Sequence, residues 1–158
     1  MDLIAAKILA IELMAQHGLL QKGWSFEFDS SKRRFGVCVY NTRVIGLSSQ
    51  LVELNSEAEV RDVILHEIAH ALVGFKHHHD RVWKAKAIEI GCKGKRLCST
   101  KEVNTPESRY IAVCPNCGHT FKRHKMTDNM RKNNSTCGYC DKKHNPLYRL
   151  TWVANPKF

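Results

Sequence analysis

The sequence predicts an α+β chain: a catalytic-type domain with a small antiparallel sheet and a long metal-binding helix, followed by a small β-rich ribbon. Three observations predict it. An HExxH pattern, His66-Glu67-Ile68-Ala69-His70, falls inside an apolar-faced helical stretch. Alternating aromatic and aliphatic runs precede it, and two CxxC pairs follow it. A chain of 158 residues buries one ordinary core plus a metal-stapled appendage. The expected division is a domain over 1–91, a basic linker over 92–108 and the ribbon over 109–153.

From Leu3 to Met14, the residues Leu3, Ile4, Ile8 and Ile11 recur at helical spacing, and Gly18 is a natural stop. Trp24, Phe26 and Phe28 then alternate in the manner of a strand. A polar turn around Ser30 to Arg34 leads into Phe35–Tyr40 and Arg43–Leu47, which complete an expected antiparallel sheet. Asn55 or Ser56 caps the next helix, with Glu57 and Glu59 favourably placed at its positive end. Its apolar face is Val60, Val63, Ile64, Ile68 and Leu72, and Gly74 ends it. Asp80 opens a further helix with Trp83, Ala87 and Ile90 on one face, closed by Gly91. In the ribbon, Tyr110–Val113 and Leu147–Val153 read as short strands.

Charge is distributed unevenly. Residues 1–91 carry 11 Lys and Arg against 11 Asp and Glu, whereas 92–158 carry 14 against 4, so the whole net charge of +10 lies in the C-terminal part. Clustered cations there suit a polyanion, nucleic acid above all, because each phosphate contact releases a counterion. No stretch approaches the eighteen apolar residues of a membrane span, and no export signal is visible. An intracellular, monomeric protein without membrane partners is expected, cytoplasmic or nucleoid-associated, or nuclear in a eukaryotic cell. Seven cysteines without an export signal point to thiolate metal binding rather than disulfides.

Two histidines four residues apart share a helix face, so His66 and His70 can hold one ion while Glu67 lies beside its open position. A catalytic zinc requires a third protein ligand. His79 is preferred because it stands four residues before Trp83, on the side of the core; His77 and His78 are the alternatives, and Glu89 is another. Glu67 is then the group that takes a proton from the attacking water and returns it to the leaving amine. Tyr40 and Arg81 are candidates to assist at the developing oxyanion. Cys114-Pro-Asn-Cys117 and Cys137-Gly-Tyr-Cys140 have the spacing of a closed tetrahedral thiolate shell, which makes the second zinc structural. Between the knuckles, Lys122, Arg123, Lys125, Arg131 and Lys132 are expected to meet phosphates, with Phe121 stacking a base. Cys38 is expected in the sheet core; Cys92 and Cys98 receive no role.

The run VIGLSSQLVELN, then VILHEIAHAL, then a histidine four residues before an aromatic, then a cysteine-pair ribbon, resembles the Spartan-related SprT-like zinc metallopeptidase family over most of residues 40–153. The metzincin pattern does not fit, because Val73 and Lys76 occupy its glycine and third-histidine positions. The resemblance implies a zincin-like fold, His66, His70 and His79 as ligands, and Glu67 as acid and base. It also implies an endopeptidase acting on DNA-bound or DNA-crosslinked proteins, in a repair role, with single- or double-stranded DNA as partner. The competing reading is a zinc-stabilised nucleic-acid-binding or regulatory protein whose HExxH site is structural or inactive.

Overall fold

In the computed structural model, which describes residues 1–95 and 103–158, the chain forms two units, Met1–Pro106 and Glu107–Phe158. Cys98 and part of the expected linker lie outside the described residues. In the first unit, strand β3 (Val44–Ser48) is central, flanked by β1 (Ser25–Asp29) and β2 (Gly36–Val39) in the order β1-β3-β2. Ile45, Gly46, Leu47 and Ser48 are all buried, as a strand covered on both faces must be. The sheet is mixed, not antiparallel as expected: β2 pairs antiparallel with β3, but β1 pairs parallel with it, Phe26 opposite Ile45. Alternation in sequence reports which residues face the core; it does not report which strand takes the middle.

Helix α1 (Leu3–Gln16) is capped by Asp2, whose carboxylate accepts the amides of Ile4 and Ala5. Its buried face is Ala6, Ala10, Leu13 and Met14, whereas Ile4 and Ile8 stand in solvent at 72% and 54% exposure. Of the expected face, Ile4 and Ile8 are thus turned away from the core, while Leu3 and Ile11 pack against its edge. Two rows at helical spacing exist on this helix, and the row with two alanines is the one that packs. A short helix α2 (Ser49–Leu54), which strand alternation did not foretell, follows β3 directly; Ser48 caps it through the Leu51 amide.

Helix α3 (Glu57–Val73) starts at Ser56 in a reciprocal capping box with Glu59 and ends at Gly74, whose positive φ of 87° suits a residue lacking a Cβ. Val60, Val63, Ile64, Leu65, Ile68 and Ala69 are buried along it, and Leu72 is partly so. Helix α4 (Arg81–Glu89) is capped by Asp80 and buries Trp83 and Ala87. Trp83, Met14, Leu19, Ile45, Leu47 and Ile64 are among the largest fully buried side chains of this unit.

The second unit is an antiparallel sheet of β4 (Tyr110–Val113), β5 (Thr120–Arg123) and β6 (Val153–Ala154), in the order β5-β4-β6. A one-turn helix α5 (Asp128–Arg131) and a 3-10 turn at Pro146–Tyr148 follow β5 in the chain. The expected strand over Leu147–Val153 is confined to its end, because Asn145 caps a turn that Pro146 opens, leaving Leu147 80% exposed. The basic residues Lys122 and Arg123 lie on β5. The buried core is Ala112, Cys114, Cys137 and Leu150, half of it cysteine.

Candidate active site and metal centres

Helix α3 presents His66, Glu67 and His70, and the turn before α4 returns His79 to them. Nε2 of His79 lies 3.1 Å from Nε2 of His66 and 3.1 Å from Nε2 of His70. Tetrahedral zinc with Zn–N bonds near 2.05 Å needs nitrogens roughly 3.3 Å apart, close to this arrangement. Burial, reinforced by the neighbouring imidazoles, lowers His66 and His70 to about 4, so near neutrality both carry lone pairs rather than charge. The donor set therefore fits a zinc ion, and His66, His70 and His79 are the residues that would hold it.

Trp83 lies against all three rings, with centroids 4.6 Å from His66, 5.2 Å from His70 and 4.6 Å from His79. It fixes the ring planes from the core side. The remaining hydrogen bond of His66 goes to the backbone carbonyl of Lys95, the kind of outer contact that sets a ligand's tautomer. Tyr40 donates its hydroxyl to the His70 carbonyl at 3.2 Å. Of the alternatives, His77 is paired with Asp80 at 2.8 Å, His78 lines the cavity outside the converging trio, and Glu89 is held by Lys86 at 2.6 Å.

Glu67 is only 7% exposed, and burial pushes its carboxyl up to about 8, opposed by the Arg34 guanidinium. Arg34 itself is bonded to Asp29. Strand β2 runs so close to α3 here that a Cβ on Gly36 would come within 2.7 Å of Glu67 Oε1 and 2.8 Å of Val63 Cγ1. Gly36 is a residue that motif reading missed; its only sequence signal is a glycine opening a strand. Cys38, two residues on, is half-buried, its thiol pushed up to about 12 by burial and by Glu67. A cavity of about 590 Å³ opens on these groups, with Arg33, Arg34 and Tyr40 also in its walls. Arg81 is not among its lining residues.

In the second unit, Sγ of Cys114 lies 3.7 Å from that of Cys140, and Sγ of Cys117 lies 3.7 Å from that of Cys137. These spacings are far too long for a disulfide but match the edge of about 3.8 Å that four thiolates at 2.3 Å from zinc define. The amides of Cys117 and Asn116 lower the Cys114 thiol to about 7, which favours the thiolate a metal needs. Four sulfurs would close the shell, leaving no position for a substrate.

Among the expected nucleic-acid residues, Lys122, Arg123, Lys125, Arg131 and Lys132 are exposed. The Arg123 guanidinium lies 5.9 Å over Trp152, and Arg131 is bonded to Asp128 at 3.0 Å. Phe121 is half-buried and packs with His119 at 4.7 Å and Tyr139 at 5.9 Å; the His119 and Tyr139 rings meet at 4.0 Å. His119 was not foreseen, since only the β4-β5 turn brings it beside Tyr139. No helix among the described residues is long and apolar enough to cross a membrane.

A model of the SprT-like family matches residues 5–103. The protein named "Protein SprT-like" from Staphylococcus carnosus (strain TM300) is 32% identical over 106 residues, a match that covers 60% of this chain and 66% of that relative. The chain thus spans just under two thirds of that relative's length.

Proposed function

The chain belongs to the SprT-like family, and from that premise we propose that it is a zinc-dependent endopeptidase that cleaves proteins bound or crosslinked to DNA. The observation that carries this is the convergence of three imidazoles beside the buried Glu67 carboxyl in an open cavity. Three ligands leave a position for substrate, as a catalytic site requires and a structural site does not. A zinc ion held there supplies Lewis acidity toward the scissile carbonyl. Glu67 takes the proton of the attacking water and delivers it to the leaving amine, and Trp83 and the Lys95 carbonyl hold the imidazoles in place. Tyr40, in the cavity wall with its hydroxyl at the His70 carbonyl, is the nearest phenol to assist as charge develops. Strand β2 is an edge, so an extended substrate can add to it by backbone hydrogen bonds. The ribbon, with its structural zinc and exposed Lys122, Arg123 and Lys125, tethers the enzyme to DNA and raises the local concentration of whatever is bound there.

The test compares zinc-loaded wild type with Glu67→Gln on a DNA-binding protein, with and without single- or double-stranded DNA. Cleavage by wild type alone, increased by DNA, is expected. Equal cleavage by the two proteins would overturn the mechanism and favour the competing reading of a zinc-stabilised binding protein. DNA-independent cleavage would remove the tether while leaving the peptidase.

A further inference from the structure

The cavity does not stop at the zinc-binding trio. Val63 stands four residues before Glu67 on the same face of α3, roughly 6 Å toward the helix N-terminus. Among the described residues, the walls there are uncharged and largely apolar: buried Phe35, Leu51 and Val63, with Val103 and Thr105 from a segment distant in sequence. That segment is tied down. The Asn104 amide donates to Asn55 Oδ1 at 2.7 Å, Asn55 Nδ2 donates to the Asn104 carbonyl at 2.9 Å, and Asn104 Nδ2 donates to the Leu54 carbonyl at 3.0 Å. Asn55 is 4% exposed and also donates to the Leu51 carbonyl at 2.7 Å, so the anchor is the residue that caps the end of α2. Val103 and Thr105, the residues on either side of the clamped Asn104, both line the cavity.

We propose that this end of the cavity is a subsite for one apolar side chain of the substrate, next to the bond that is cut, with Val103 and Thr105 setting its depth. The proposal rests on the reading of Glu67 and the histidines as a hydrolytic centre. Phe35, Leu51, Val63, Val103 and Thr105 carry no ionisable group, so a charged substrate side chain entering among them would lose water and gain no ionic partner from these five residues. Glycine or alanine would leave the walls without contact atoms, whereas leucine, methionine or phenylalanine would fill them. Because the Asn55–Asn104 clamp holds the wall before any substrate arrives, little ordering cost is left for binding. Side chains of this kind are buried in folded proteins, so cleavage would fall on loosened or locally unfolded segments of the target.

The experiment maps cut sites of the zinc-loaded full chain on a mixed peptide library. Leu, Met, Ile or Phe should be enriched about tenfold over Gly and Asp at one position flanking the cut. Val103→Phe should lower the ratio of kcat/KM for Leu over Ala peptides about tenfold, and Val103→Ala should move the preference toward Phe, with zinc content unchanged in both. A flat preference in wild type, or one that neither variant moves, overturns the subsite. A second readout needs no hydrolysis: millimolar acetyl-leucine amide should shift the NMR methyl signals of Leu51, Val63 and Val103 in the metal-free protein, and acetyl-glycine amide should not. If no peptide is cut yet those methyls respond, the hydrolytic reading fails and the subsite stands. If peptides are cut without preference and the methyls stay silent, the reverse holds.

Discussion

Asp62 accepts the backbone amide of Lys93 at 2.7 Å, from the helical position one turn before His66, whose ring bonds to the carbonyl of Lys95. One short backbone segment is thereby fastened to α3 at two successive turns, and the second fastening orients a proposed zinc ligand. Asp62→Ala should weaken zinc binding about 10- to 100-fold without unfolding the first unit. Asp62→Asn, which keeps an accepting oxygen, should restore most of it. Competition with a chromophoric chelator measures both.

The close approach of β2 to Glu67 yields a second prediction. Gly36→Ala forces either the carboxylate or the strand to move by several tenths of an ångström. Displacement on that scale at a reacting group is expected to lower kcat/KM by about 10- to 100-fold. Zinc content, measured by atomic emission, should remain that of wild type, which separates this variant from a ligand mutant.

Glu67 also gives the metal-free protein a pH-dependent stability. Its folded carboxyl is raised from the ordinary 4.5 to about 8, so between these values the native state holds a proton that the unfolded state has released. Relative to metal-free Glu67→Gln, the stability of the metal-free wild type should therefore fall as pH rises from 4.5 toward 8, the opposite contribution of His66 and His70 being common to both proteins. Metal-free Glu67→Gln lacks that slope: urea denaturation should find it equal to wild type near pH 4 and more stable at pH 8.

Zinc removal should act differently on the two units. The second unit's buried core cluster is just Ala112, Cys114, Cys137 and Leu150, and chelation should abolish its β signal. The first unit, with its larger core, should stay folded while losing activity. Two zinc ions per chain are expected, one in Cys114→Ser, and one in His66→Ala, with the ribbon intact in the last.

Features that depend on a few neighbouring residues were readable from the chain alone. Ser56 with Glu59, Gly74 and Asp80 mark helix ends through local hydrogen bonds and a positive φ, and the His66-Glu67-His70 spacing follows from one helical turn. Features set by distant partners were not. Parallel pairing of β1 with β3, the choice of Ala6 and Ala10 over Ile4 and Ile8 as the packed row, the aromatic group of His119 with Tyr139, and the Asn55–Asn104 clamp all depend on segments that meet only in the folded molecule. His79 lay between these cases. Its distance from Trp83 was legible, but its convergence on His66 and His70, while His77 pairs with Asp80, required the turn before α4.

The proposed chemistry and the proposed selectivity therefore have different contact orders. The proposed zinc-binding histidines and the proposed base lie between His66 and His79, within one helix–turn–helix excursion, and can be assembled from local structure soon after α3 and α4 dock. The walls that would choose a substrate come from residues 33–40, from Leu51 and from 103–105, and need the chain to close large loops before they exist. Substitutions in those remote segments can alter what is cut while the reactive unit stays whole, so target choice can drift among relatives without the metal centre being rebuilt.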